Sequence, residues 1–131
     1  MKIRLFTIIC IFIASTASMF AGEPTIKFES NKHDFGNIKE ANGPVTATFT
    51  FKNTGDGQLV ITSAKSTCGC TNPKFSPKPI KPGETSKISV TYNPTGRPGE
   101  FFKEITVKTN DKKHKRLKLI IKGNVIPSPS K

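Results

Sequence analysis

Cys68 and Cys70, separated only by Gly69, are the residues whose type and spacing could carry chemistry. Three chemistries fit the pair. A local disulfide needs its α-carbons within about 6.8 Å, which a bend at Gly69 permits and a fully extended strand barely does. Such a bond closes very little chain, so it would be reducible and redox-active rather than structural. Two free thiolates would instead bind a soft metal, and Cu(I) suits a two-sulfur site better than zinc, whose structural sites take four ligands. Finally, both can serve as small apolar packing residues. The rest of the inventory is thin for an enzyme. After residue 21 there is no Met and no Trp, and His33 and His114 are the two histidines. No paired acids, no nucleophile beside a base and no phosphate-cradling loop accompany them, so no catalytic residue and no cofactor are expected, with copper the one metal to consider.

These residues sit in a chain of 131 residues with 34% hydrophobic and 23% charged content, 10 Gly and 10 Pro. That profile belongs to one turn-rich folded domain and excludes a coiled coil or a multi-pass membrane protein. Lys2 and Arg4 precede an apolar run (LFTIICIFIA, residues 5–14), and small residues follow up to Ala21. This is the layout of an export signal over residues 1–21, with cleavage after Ala21 or, because Met19 is bulky for the minus-three position, after Ala17. The run is shorter than the roughly 20 apolar residues of a spanning helix, so no transmembrane helix is expected after cleavage. A periplasmic or secreted location follows.

The elements that must position the cysteines are strands. Residues 44–53 alternate strictly, with Val45, Ala47, Phe49 and Phe51 on one face and Thr46, Thr48, Thr50 and Lys52 on the other. After the turn NTGDGQ comes LVITSAKS, and the two runs are expected to pair as an antiparallel hairpin. Ile88, Val90 and Tyr92 repeat the period, as do Ile105 and Val107, then Leu117, Leu119, Ile121 and Val125 with Gly123 in the side-chain gap. At Phe101 and Phe102 the register is ambiguous, and a bulge would resolve it. With short strands near Phe35 and Phe75 the count is about seven. The fold class is therefore all-β, an immunoglobulin-like antiparallel sandwich over residues 33–126, with 22–32 an N-terminal extension and 127–131 a disordered tail. Gly55, Gly57, Gly83, Gly96 and Gly99 suit turns that require positive φ. Asp34 and Asn53, beside turns, are expected to bond nearby backbone.

If the strands run up and down in this order, His33 and His114 lie at one end of the sandwich and the cysteines at the other. A metal site loses its nitrogen ligands. The loops expected beside the cysteines are KEANG (39–43) and NPTGRPG (93–99), so Arg97 is the nearest charge, one that would favour a thiolate.

From residue 33 to 125 the chain resembles an uncharacterised bacterial family, domain of unknown function 1573, itself similar to the immunoglobulin-like modules of sperm-protein and cilia-associated proteins. HDFGNI (33–38), FKNTGDGQLVI (51–61), TCGCT (67–71), IKPGE (80–84), ISVTYNPTGRPGE (88–100) and the closing IIKGNV carry the likeness. The resemblance implies the sandwich and, by analogy, a role in protein interaction. It implies no catalytic residues.

The formal charge is +12, and loss of Lys2 and Arg4 with the leader lowers it to +10. Residues 101–131 hold nine of the basic residues against Glu104 and Asp111. On the alternation above, Lys108, Arg116, Lys118 and Lys122 point outward beside the turn residues Lys112, Lys113 and Lys115. An anionic glycan or lipid surface could dock on this stripe, which could equally be a solvated face that discourages aggregation. Nucleic acid is excluded as a partner, because export removes the protein from it and no aromatics interleave the cations. The sequence thus points to an exported, non-enzymatic module that binds an envelope or secreted protein or a surface polymer, the alternative being thiol redox or copper binding at Cys68 and Cys70.

Overall fold

The computed structural model describes residues 22–129. The export leader expected over residues 1–21 therefore lies outside the described residues. Eight strands follow in chain order: β1 (Ile26–Phe28), β2 (Lys32–Lys39), β3 (Val45–Asn53), β4 (Ile61–Ser66), β5 (Thr71–Phe75), β6 (Thr85–Tyr92), β7 (Gly99–Thr109) and β8 (Arg116–Ile126), with one 3-10 turn at Glu40–Asn42. They form two four-stranded sheets, ordered β1-β3-β6-β5 and β2-β8-β7-β4. The all-β sandwich is as the alternation predicts, with one strand more than expected. All the pairs are antiparallel except β2 with β8, which is parallel.

The core is what the inward faces dictate. Ala47, Phe49 and Phe51 of β3 and Ile88, Val90 and Tyr92 of β6 are buried against Ile105 and Val107 of β7 and Leu119, Ile121 and Val125 of β8. Each large apolar side chain so buried contributes about 1.5–3 kcal/mol before chain entropy is counted. The sheets are bridged by a stacked pair, Tyr92 on Phe101, with ring centroids 4.0 Å apart. Phe101 is buried while Phe102 points out, 58% exposed. The β7–β8 register runs unbroken from Gly99↔Val125 to Lys108↔Arg116. No bulge is needed there; the register shifts fall in β2 and β4 instead.

Three expectations fail. Residues 22–32 are not an extension outside the domain, because they supply β1, which pairs with β3 from Ile26↔Asn53 to Phe28↔Phe51. The predicted β3–β4 hairpin does not form either: β3 lies between β1 and β6, and β4 pairs with β7 in the other sheet. The connecting arch bonds backward rather than across, with Thr54 N–H donating to Thr25 O (2.9 Å) and Asp56 N–H to Glu23 O (3.1 Å). Its length lets the chain change sheets, where a two-residue turn would have forced a hairpin. The same packing explains Gly55 and Gly57. Neither has positive φ; a β-carbon on Gly55 would collide with Glu23 O and one on Gly57 with Gly22 O.

Two runs of chain also change sheet within a few residues. Residues 29–31 carry β1 into β2, and residues 67–70 carry β4 into β5. Each switch leaves its neighbour half covered. β1 reaches along β3 only as far as Phe51, and β4 reaches along β7 only to the pair Ser66↔Ile105.

Candidate functional site

The Cys-Gly-Cys segment is the second of these switches. Cys68 and Cys70 are joined by a disulfide, with α-carbons 5.2 Å apart. A tight bend sets that distance, closed by Thr71 N–H donating to Cys68 O (3.1 Å), with Asn93 N–H donating to Cys70 O (2.8 Å). Gly69 is not there to avoid a clash, since a β-carbon on it would meet nothing within 4 Å. The two sulfurs differ in surroundings. Cys70 is 5% exposed and belongs to the core, and its Sγ lies 3.5 Å from the Thr71 hydroxyl. Cys68 is half-buried between exposed Thr67 and Gly69, and its Sγ accepts the Cys70 N–H at 3.2 Å.

The 93–98 turn lies beside this switch, through the Asn93 bond and the pairing of Thr71 with Tyr92. Arg97 is exposed in that turn. Burial pushes the Tyr92 phenol above its usual value, and the Arg97 charge pulls the other way. Glu40, from the KEANG segment, accepts the Gly96 N–H at 3.3 Å, which brings the two loops together at this end. His33 is not at the opposite end. Its register, His33↔Ile121 with Ile121↔Lys103, sets it at mid-height on the edge strand β2. The disulfide follows the other edge strand, β4, three strand spacings or about 14 Å across the sheet. Among the described residues no group of three His, Cys, Asp or Glu side chains is placed to hold a metal ion.

His114 lies in the β7–β8 turn, where it meets Asp111, a residue the sequence did not single out. Asp111 is buried. One carboxylate oxygen accepts Ile26 N–H (3.0 Å) and faces His114 Nδ1 (2.9 Å), and the other accepts Lys113 N–H (2.9 Å). Burial by itself raises this carboxyl, but these hydrogen bonds outweigh it and hold it below the usual carboxylate range. The group pins β1 to the turn. Because the folded-state value is depressed, its stabilisation is complete above the unfolded value of 3.8 and is lost as pH falls through the folded one. Acid titration of thermal stability should show this: the gap in melting midpoint between wild type and Asp111→Asn is expected to hold above pH 3.8 and close below it. A gap unchanged at lower pH would contradict the assignment.

The cationic stripe is partly spent on ion pairs. Lys112 meets Glu23 at 3.4 Å, Lys118 meets Glu104 at 3.2 Å and Lys122 meets Asp34 at 3.9 Å, all at exposed positions. Lys108, Lys113, Lys115 and Arg116 form no ion pair among the described residues and gather at the β7–β8 turn.

On the outer face of the second sheet lies an open trough of about 490 Å³, lined among others by Phe102, Glu100, Asn37, Lys122 and Asn124 over Gly123. Phe102 is also the aromatic that borders the uncovered part of β7. Thr109 N–H donates to Lys115 O across the hairpin, so by strand alternation the main-chain groups of odd β7 residues face β8 and those of even residues face β4. Past Ser66 there is no β4 to receive them. Glu100 and Phe102 therefore present main-chain donors and acceptors at an open edge. The sequence alone hides this, because the Phe101–Phe102 register is ambiguous there; counting back in twos from Ile105 buries Phe101 and exposes Phe102.

A family profile described as "Protein of unknown function (DUF1573)" matches residues 26–125. No curated protein matches the chain. Among solved structures it is similar to a protein of unknown function from Porphyromonas gingivalis W83, at 17% identity and TM-score 0.69, covering 82% of this chain and 50% of that one. It thus spans half the length of that relative. It is also similar to the ASH / PapD-like domain 7 of human CEP192 (13% identity, TM-score 0.64, 79% of this chain and 87% of that one). A third similarity is to WR4, a C. elegans MSP family member (15% identity, TM-score 0.52, 77% and 97%). At these identities the likeness concerns the fold, an immunoglobulin-like sandwich.

Proposed function

We propose that this chain, which belongs to the DUF1573 family of unknown function, acts after export as a non-catalytic binding module that takes an extended segment of an envelope protein along the open part of β7. The observation that carries this reading is the end of β4 at Ser66, opposite Ile105, which leaves the outward main chain of Glu100 and Phe102 unpaired among the described residues, beside an aromatic that is 58% exposed. An added strand would gain main-chain hydrogen bonds for affinity, and Phe102 on its outer side would supply selectivity. The unpaired cations at the β7–β8 turn lie at the other end of the same sheet, where an anionic surface polymer is the second occupant to consider.

A photo-crosslinking residue placed at position 102, compared with one at position 113 in the distant β7–β8 turn, tests the reading in the native envelope. One discrete adduct is expected from position 102, and Phe102→Lys should weaken binding of the adduct partner by about tenfold or more, while thermal stability stays within about 0.5 kcal/mol as for other exposed sites. Adducts from position 113 alone would transfer the function to the cationic turn.

A further inference from the structure

We propose that the Cys68–Cys70 disulfide is a thiol–disulfide exchange site for dithiol proteins, in which Cys68 receives the incoming thiolate and Cys70 is the leaving group. This stands independently of strand addition at β7. The bond has little to do for the fold. Its loop is so short that it restricts the unfolded chain about half as much as a loop of about 15 residues would. The bend it spans is already closed by the Thr71 and Asn93 N–H groups at 3.1 and 2.8 Å.

The asymmetry of the two sulfurs assigns the direction of attack. Cys68 is half-buried beside exposed Thr67 and Gly69, so an incoming thiolate can reach it; Cys70, 5% exposed, is shielded. Exchange also depends on how well the departing thiolate is stabilised. The Thr71 hydroxyl, 3.5 Å from Cys70 Sγ, is the donor placed to do that. The Cys70 N–H, 3.2 Å from Cys68 Sγ, is placed to favour a thiolate on Cys68 once the pair is reduced, which readies Cys68 for the reverse reaction.

In the first step a partner thiolate attacks Cys68 Sγ, the Cys68–Cys70 bond breaks, a partner–Cys68 disulfide forms and Cys70 leaves as thiolate. The partner's second thiolate then attacks the partner sulfur bound to Cys68, and Cys68 leaves as thiolate. The partner dithiol is oxidised by two electrons to a disulfide, and Cys68 and Cys70 are reduced and take up the two protons that the partner's thiols lost.

The test uses the full chain in its oxidised form, with dithiothreitol as the dithiol probe and maleimide labelling to read free thiols over time. Both thiols are expected to appear while the protein is folded, and Thr71→Val should slow their appearance about tenfold, the equivalent of about 1.4 kcal/mol of lost stabilisation of the leaving thiolate. Lys27→Ala, on the far edge strand β1, should leave the rate unchanged, which ties the effect of Thr71→Val to the surroundings of the disulfide. A second pair of variants fixes the direction: with oxidised glutathione, Cys70→Ser should form the mixed disulfide at Cys68 at least tenfold faster than Cys68→Ser forms it at Cys70. Thiols that appear only above the unfolding midpoint, or glutathione captured equally fast by both variants, would overturn the proposal.

Discussion

Replacing Asn53 by alanine is expected to cost about 3–4 kcal/mol, among the largest effects of any single substitution in this domain. Asn53 is fully buried, and all four hydrogen-bonding positions of its amide, two N–H donors and two carbonyl lone pairs, are used. The NH2 group donates to Gly57 O at 2.7 Å and Ile80 O at 2.9 Å. The carbonyl oxygen accepts Gly55 N–H at 3.0 Å and Thr25 N–H at 3.3 Å. Truncation leaves three main-chain groups, Thr25 N–H, Gly55 N–H and Gly57 O, without partners among the described residues, while Ile80 O keeps the Leu59 N–H at 2.9 Å. Each such loss costs about 1–3 kcal/mol when the group stays dry, and water entering the loosened arch recovers part of it. Asn53→Asp separates the hydrogen bonds from the volume: it keeps the acceptor and turns a negatively charged oxygen toward two carbonyls, so it should be at least as damaging at neutral pH. Urea unfolding checks both variants. A midpoint shift worth less than about 1 kcal/mol for either would mean that the arch does not depend on this amide.

Gly123→Val is expected to cost about 3 kcal/mol, for a different reason. A β-carbon at position 123 would stand 2.8 Å from Phe101 Cε1 and Cζ and 3.0 Å from Gly36 O. Phe101 faces Gly123 directly across β7 and β8, and its ring covers the space that the glycine leaves empty. The ring has no easy retreat, because it stacks on Tyr92 at 4.0 Å on the far side. Shortening Phe101 to Leu removes the collision at the cost of some packing, so the two substitutions together should destabilise by less than the sum of their separate effects. A double-mutant cycle with coupling near zero would show that the strain lies elsewhere.

The inward faces were legible because alternation is a local property: Ala47, Phe49, Phe51, Ile88, Val90 and Tyr92 could each be placed from their immediate neighbours. Strand partners were less so. The β3–β4 arch has the composition of a hairpin turn, and its diversion into the other sheet depends on bonds to Thr25 and Glu23, which lie far back in the chain. Asn53 and Asp34 do bond nearby backbone, at Gly55 and Gly36, as short polar residues beside turns tend to. Nothing local tells that Asn53 also reaches Ile80, 27 residues on, or that Asp111 reaches Ile26, 85 residues back. For the cysteines, spacing limits the chemistry to a short list, but which sulfur is shielded depends on core residues contributed by other strands.

The parallel pairing of β2 with β8 has a mechanical consequence. The two strands are matched at six positions, from Lys32↔Ile120 to Lys39↔Ile126. A tension applied upstream of Lys32 and downstream of Ile126 pulls them in opposite directions along their common axis. The ladder is then loaded in shear, so its bonds resist together instead of opening one after another from an end.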